Sequence, residues 1–367
     1  MRFRLPLPRW MRPRRYAASI IFEATSACNL ACQYCYNAWK APIPGDVPTE
    51  SSVTTFKTLD TLKTKELLAR TILGSRARNI TWSGGEPTLR LDLIDLMRYV
   101  QRMGVSQNLI TNGTLLTPEQ IEEIVKSGVR VIQVQLVAAD RELHNEMQGA
   151  DSYDKATLAI AAARRYGAHT CVVMVLHRRN LPHIHETFRL AFALGAQSIM
   201  LNRINPGGLG LGHPDLWLTI AEYEQALDDA EVAAQEFGLW VATSIPTQPC
   251  ILSYQEKGYK RLATGFCAAG KADAYFALDA LGNLRSCNHS PEVLGNIFHT
   301  SFKRMAKGEA MQQFYAALPE MCWGCKRADE CQGGCKASAW VAFGSPTLPD
   351  PFLKQAVEEG RWKGKFE

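Results

Sequence analysis

Between residues 17 and 243, short runs rich in β-branched and aromatic residues alternate with longer stretches whose apolar positions recur every three or four residues. The runs "ASIIFEA" (18–24), "NITWS" (79–83), "QNLIT" (107–111), "VRVIQVQL" (129–136), "TCVVMVL" (170–176) and "SIMLNR" (198–203) read as six strands. Between them, "LIDLMRYVQRMG", "YDKATLAIAAARRYG" and "ETFRLAFALGA" carry a helical apolar stripe and finish at or beside a glycine, which suits a helix C-terminus. Strand then helix, repeated, builds a parallel sheet with right-handed crossovers. Six such units are two short of a closed eightfold barrel, so the expected fold class is α/β with a partial (β/α)6 barrel.

The pattern breaks near 245, where Pro246, Pro249 and Cys250 follow the last barrel-like helix and seven of the eleven cysteines then fall between 250 and 335. A C-terminal cysteine-rich domain is expected there. The organisation expected is a basic arm at 1–16, the barrel at 17–243, the cysteine-rich domain at 244–345 and a tail at 346–367. No apolar run nears the roughly 20 residues that span a bilayer, and the start lacks the apolar core of a secretory signal, so a cytoplasmic protein is expected. In that reducing compartment, closely spaced thiols favour metal binding over disulfides. The net charge of +5 is concentrated in Arg2, Arg4, Arg9, Arg12, Arg14 and Arg15. The remainder is nearly neutral, which weighs against a broad nucleic-acid face and leaves the arm as a solvated or docked tail, or a contact for an acidic peptide, RNA or membrane surface.

Ligands of parallel strand–helix folds bind at the carboxyl ends of the strands, and the loops there are unusual. After the first strand comes "SACNLACQYCYN", holding Cys28, Cys32 and Cys35 within eight positions; after the second, "GGEP" (84–87); after the third, "TNGT" (111–114). His177, Arg178, Arg179 and Asn180 follow the fifth, and Asn202 and Arg203 close the sixth ahead of "NPGG". Three thiolates suit an iron–sulfur cubane with one open iron, and spacing alone allows a zinc site as well. Cys171, inside an apolar strand, reads as a small buried hydrophobe.

Cys-x-x-x-Cys-x-Tyr-Cys after a first strand, with Gly-Gly-Glu-Pro after a second, resembles the radical S-adenosylmethionine (SAM) superfamily. The resemblance implies that Cys28, Cys32 and Cys35 hold a four-iron, four-sulfur cluster whose open iron chelates S-adenosylmethionine. It places Tyr34 near the adenine and Gly84, Gly85 and Glu86 along the methionine moiety. Related enzymes often carry Ser on the fourth strand as a ribose contact; Gln135 is the stand-in here, a polar core or surface residue being an equal reading. Arg179 and Asn180 are expected at the cofactor carboxylate, with Arg178 as an alternative.

In the C-terminal part, Cys267 and Cys287 bracket Gly282, and Cys322, Cys325, Cys331 and Cys335 fall within 14 positions. By spacing alone the last four allow a zinc knuckle. The order of all these residues, with "GNLRSC", "LGNI" and "CQGGCKASAW", is similar to the auxiliary-cluster domain called SPASM. That resemblance implies a first auxiliary cluster on Cys267, Cys287 and Cys335 with Cys250, and a second begun by Cys322, Cys325 and Cys331. Relatives often end in Asp-Pro-x-Cys; here "PDPFL" supplies no cysteine, so the second cluster is expected to be open, ligated by Asp350, or absent.

The family implies reductive cleavage of S-adenosylmethionine to a 5'-deoxyadenosyl radical, with one or two auxiliary clusters taking a second electron. Oxidative crosslinking or dehydrogenation of a peptide is the leading expectation. Expected partners are a low-potential donor of flavodoxin or ferredoxin type and, because little chain precedes the first strand, a separate leader-binding protein. Sulfatase maturation ranks lower, since Asn288 stands where those enzymes carry a proton-accepting Asp; His289 is the weak candidate base. The other readings are radical modification of a small molecule, by porphyrin decarboxylation or sugar-alcohol dehydrogenation, and a non-enzymatic redox-sensing iron–sulfur or zinc protein.

Overall fold

The computed structural model describes residues 16–37, 58–271 and 274–366, so the arginine-rich start up to Arg15 lies outside the described residues. Six strands run parallel in chain order: β1 (Ser19–Glu23), β2 (Asn79–Ser83), β3 (Ser106–Thr111), β4 (Val129–Gln135), β5 (His169–Leu176) and β6 (Ser198–Arg203). They coincide with the six runs read from the sequence to within a residue or two. Helices α1 (Thr61–Ser75), α2 (Leu93–Arg102), α3 (Pro118–Lys126), α4 (Arg141–Gln148), α5 (Tyr153–Arg165), α6 (Ile184–Ala193) and α7 (Ile220–Phe237) intervene. None of the helices among the described residues is long and apolar enough to cross a membrane.

Alternation along the strands gives the sheet two different faces, because successive side chains of a strand point to opposite sides. Ile20, Phe22, Ile80, Trp82, Ile132 and Val134 are fully buried in the core beneath the helices. Their neighbours Ile21, Thr81, Ser83, Gln133, Gln135 and Asn202 face an interior cavity. The inner face therefore mixes apolar and polar groups, as a ligand chamber does and a sealed core does not.

The sheet does not stop where composition changes. β7 (Trp240–Thr243) and β8 (Leu262–Thr264) continue it in parallel beyond β6. On the other side β9 (Tyr275–Asp279) pairs in parallel with β1, and β10 (Asn283–Arg285) and β11 (Val293–Asn296) add antiparallel partners. The order β11-β10-β9-β1-β2-β3-β4-β5-β6-β7-β8 makes one sheet of eleven strands among the described residues, so both edges of the six-stranded barrel are extended by chain from near or past the expected boundary at 244. Arg285 on β10 forms a buried ion pair with Glu23 on β1. Burial pushes the Glu23 carboxyl up, against the pull of the Arg285 cation. Removing one partner of such a pair strands the other charge in a dry interior, a loss of about 3–5 kcal/mol in comparable cases.

Candidate active site

The loop after β1 is held by the loop after β2. Gly85 N–H donates to Thr25 O at 2.7 Å, and Glu86 N–H to Ala27 O at 2.8 Å. The approach is so close that a Cβ on Gly84 would stand 2.2 Å from Thr25 O, and one on Gly85 2.0 Å from Ala27 O. Gly84 also has φ near 131°, which side-chain-bearing residues rarely adopt. The glycine pair thus fixes the backbone immediately before Cys28. Glu86 is almost wholly buried, and its oxygens accept from Thr111 Oγ1 (2.7 Å), Asn112 N (2.8 Å), and Thr88 N and Oγ1. It ties "GGEP" to "TNGT", and Asn112 and Thr114 continue the lacing to Asn29 in the cysteine loop.

The far side of the cysteine loop rests on α4, whose last carbonyls accept from it: Gln33 N–H to Met147 O, and Ala31 N–H to Gln148 O. His144, one turn earlier on α4, is fully buried and accepts from Val137 N–H through Nδ1, while its Nε2 has no hydrogen-bond partner among the described residues. Burial pulls its pKa down to about 4. A depressed histidine stabilises the fold above its unfolded pKa of about 6.5, and that contribution is lost as pH falls through 4, at about 1.4 kcal/mol per unit of depression. The stability of the metal-free protein in urea should therefore fall between pH 6.5 and 4, and less steeply in His144→Asn, which keeps an acceptor for Val137. Equal slopes for the two proteins would show that His144 titrates normally.

Cys28, Cys32 and Cys35 line one end of a cavity of about 460 Å³, with Tyr34 between them in sequence and Gly84, Gly85, Glu86 and Gln135 on the adjoining wall. Tyr34 is buried and stacked on His177 at 6.4 Å. Burial, reinforced by the Cys32, Cys35 and Cys28 thiols around it, drives its hydroxyl far up, so it stays neutral. Cys267, Cys287 and Cys335 line the same cavity together with Asn288 and His289. Cys171 lies buried in β5.

Two expectations are corrected. Arg179 and Asn180 are not on the cavity wall. The short turn after β5 sends Arg179 outward into a two-pronged pair with Glu146, while Asn180 is buried as a brace, its Nδ2 donating to Val137 O and Val175 O at 2.9 Å each. Cys250, expected with Cys267, Cys287 and Cys335, is not on that wall either; its neighbours are Cys322, Cys325 and Cys331.

None of the eleven cysteines is joined in a disulfide. Among the described residues no three His, Cys, Asp or Glu side chains meet where one ion would sit. A cubane spreads its ligands over separate irons, so three thiols round one chamber fit it without meeting at a point. The cavity volume lies in the ordinary range for a bound small molecule. Residues 22–191 match the family model described as the Radical SAM superfamily. The barrel is a radical SAM domain. Its cofactors are a four-iron, four-sulfur cluster and S-adenosylmethionine, and the residues that would hold the cluster are Cys28, Cys32 and Cys35.

Similarity extends past the radical SAM domain. The chain is 27% identical to the AdoMet-dependent heme synthase of Methanosarcina barkeri over 349 residues, covering 91% of this chain and 95% of that protein. It is 25% identical to the mycofactocin maturase MftC of Mycobacterium tuberculosis, covering 93% and 83%. Streptococcus suis SuiB, solved with its precursor peptide SuiA, shares the fold with a TM-score of 0.70 at 15% identity, over 92% of this chain and 76% of that one.

Further residues complete the cavity wall, of which Tyr36 and Lys336 escaped sequence reading. Arg203 is buried at the end of β6 with its guanidinium 4.2 Å over the Phe352 ring, and its Nε has no hydrogen-bond partner among the described residues. Lys336, next to Cys335, is buried on the wall; burial pulls its pKa down to about 8. Asn288 donates to Tyr36 Oη at 2.6 Å and accepts from Tyr275 Oη, so its amide is held between two tyrosines. His289 packs on Tyr36 and bonds Pro206 O through Nε2; burial holds it near 4, neutral at pH 7 and a weak base. Adjacency to Cys35 and Cys335 was the one signal for Tyr36 and Lys336; nothing local marked Arg203 beyond its place at a strand end.

Proposed function

We propose that this radical SAM enzyme oxidatively modifies a peptide, by crosslinking or dehydrogenation. The observation that carries the reading is one chamber walled by Cys28, Cys32 and Cys35 at one end and by Cys267, Cys287 and Cys335 elsewhere. Cys28, Cys32 and Cys35 would hold the cluster that, with S-adenosylmethionine, would supply radical hydrogen abstraction, and the C-terminal cysteines would hold a group able to take up the electron that oxidation releases. The chain's own part is positional. Gly84 and Gly85 fix the approach to Cys28, Tyr34 lines the chamber with His177 stacked on it, and Gln135 presents an amide to the chamber. Enclosure keeps water from the radical. Asn288 is an amide, far too weak a base to take a proton from a substrate, which counts against sulfatase maturation. MftC, similar along almost the whole chain, is a named maturase, which supports a peptide substrate. A reducing cytoplasm, a flavodoxin- or ferredoxin-type donor and a separate leader-binding protein belong to the same proposal.

A second reading, decarboxylation of porphyrin side chains, is favoured by the buried cations Arg203 and Lys336 on the cavity wall, which suit carboxylates, and by the similarity to heme synthase. One assay separates the two. The reconstituted protein, reduced and supplied with S-adenosylmethionine, is given either a short peptide encoded beside its gene or an iron porphyrin carrying propionates. A peptide product lighter by two hydrogens supports the first reading; loss of carbon dioxide from the porphyrin with the peptide unchanged replaces it by the second.

A further inference from the structure

The cysteines after residue 244 fall into two groups that differ from the expected ones. Cys267, Cys287 and Cys335 face the central chamber; Cys250, Cys322, Cys325 and Cys331 do not. Cys250 is brought to the second group from two directions. Two residues before it, Gln248 is buried and its Nε2 donates to Gly333 O (3.3 Å), two residues beyond Cys331, and to Asp350 Oδ2 (3.0 Å). Its own carbonyl accepts from Lys363 N–H at 2.9 Å, and three residues later Phe366 O accepts from Lys326 N–H at 2.9 Å, beside Cys325. Lys365 Nζ donates to Trp323 O at 3.2 Å, and Arg327 lies over the Phe366 ring. The C-terminal tail therefore clamps the Cys250 turn against the 322–327 loop.

Asp350, whose ligation was one of the three alternatives for the second cluster, is already engaged. It is buried; Oδ1 caps the helix Pro351–Glu358 by accepting from Leu353 N at 2.8 Å, while Oδ2 accepts from Cys335 N at 2.7 Å and from Gln248. That makes it a bracket between the two groups. A carboxylate with both oxygens satisfied has lost most of its capacity to reach an iron.

We propose that Cys250 is the fourth thiolate of a fully protein-ligated iron–sulfur cluster with Cys322, Cys325 and Cys331, and that Asp350 is not a ligand. The set short of a fourth cysteine is then Cys267, Cys287 and Cys335, on the chamber wall. The proposal rests on the family reading that auxiliary clusters are present.

The test is iron, sulfide and zinc content, with electron paramagnetic resonance of the reduced full-length protein, in single and paired variants. Cys250→Ala should perturb the same signal as Cys331→Ala, and the pair should lose no more iron than Cys331→Ala alone. Combined with Cys287→Ala, its loss should add, to about eight irons in total. Asp350→Asn, which keeps a helix-capping oxygen, should retain full iron and both signals. The proposal is overturned if Cys250→Ala perturbs the Cys287 signal, if Asp350→Asn loses the Cys331 signal while Cys250→Ala keeps it, or if stoichiometric zinc replaces that iron. If neither Cys287→Ala nor Cys331→Ala removes any iron, the auxiliary-cluster reading itself falls with it.

Discussion

Cys32→Ala should reduce 5'-deoxyadenosine formation to the level of reductant alone while leaving the iron bound by the C-terminal cysteines in place. Cys32 is the most buried of the three thiols in its loop, and that loop is held by "GGEP" and by the end of α4 through backbone bonds that do not involve its side chain. Replacing the thiol therefore removes a ligand without removing the loop. The C-terminal thiols lie on different segments of the chain, so their iron content and spectra should persist. Nucleoside analysis of the reduced variant, with iron content measured in the same sample, checks both halves. Continued cleavage of S-adenosylmethionine in Cys32→Ala would refute the assignment of this loop.

Gly85→Ala should empty the first cluster site without any ligand having been touched. Its new methyl group would stand 2.0 Å from Ala27 O, a backbone atom of the segment that delivers Cys28. Backbone cannot swing aside as a flexible side chain does, so the cysteine loop must shift or the variant must carry the strain. Overpacking of this kind costs about 1–3 kcal/mol. Gly265→Ala is the control, because nothing lies within 4 Å of a Cβ there. Iron content and urea denaturation should separate the two variants, with Gly85→Ala low on both counts and Gly265→Ala close to the parent. A stable Gly85→Ala protein with full iron would mean that the loop tolerates displacement and that the glycine's role lies elsewhere.

The six barrel strands and the first cysteine triad were legible because both are written in short-range terms. An alternating run such as "VRVIQVQ" can satisfy one buried and one chamber face only as a strand, and three thiols within eight residues of one loop cannot be far apart. Asp350, one candidate for an oxygen ligand, carried a local signal too: an Asp directly before Pro351 is a helix start, and the structure uses it as one. Arg179 and Asn180 had no such signal. They are adjacent and both polar, and which one turns inward depends on Glu146 and on the carbonyls of Val137 and Val175, contributed by α4 and by the ends of β4 and β5.

The longest-range facts belong to the tertiary structure. Sequence determined that seven cysteines would gather after residue 244, and spacing grouped the nearest of them. It did not determine that β9 would pair with β1, that Glu23 would meet Arg285, or that Cys250 would lie near Cys322 and off the chamber wall that Cys267 lines. Spacing constrains side chains only while the intervening backbone is short. Between Cys250 and Cys322 the chain passes through four strands, and what brings the two together is the tail from 361 to 366, bonded to the Cys250 turn on one side and to the 322–327 loop on the other.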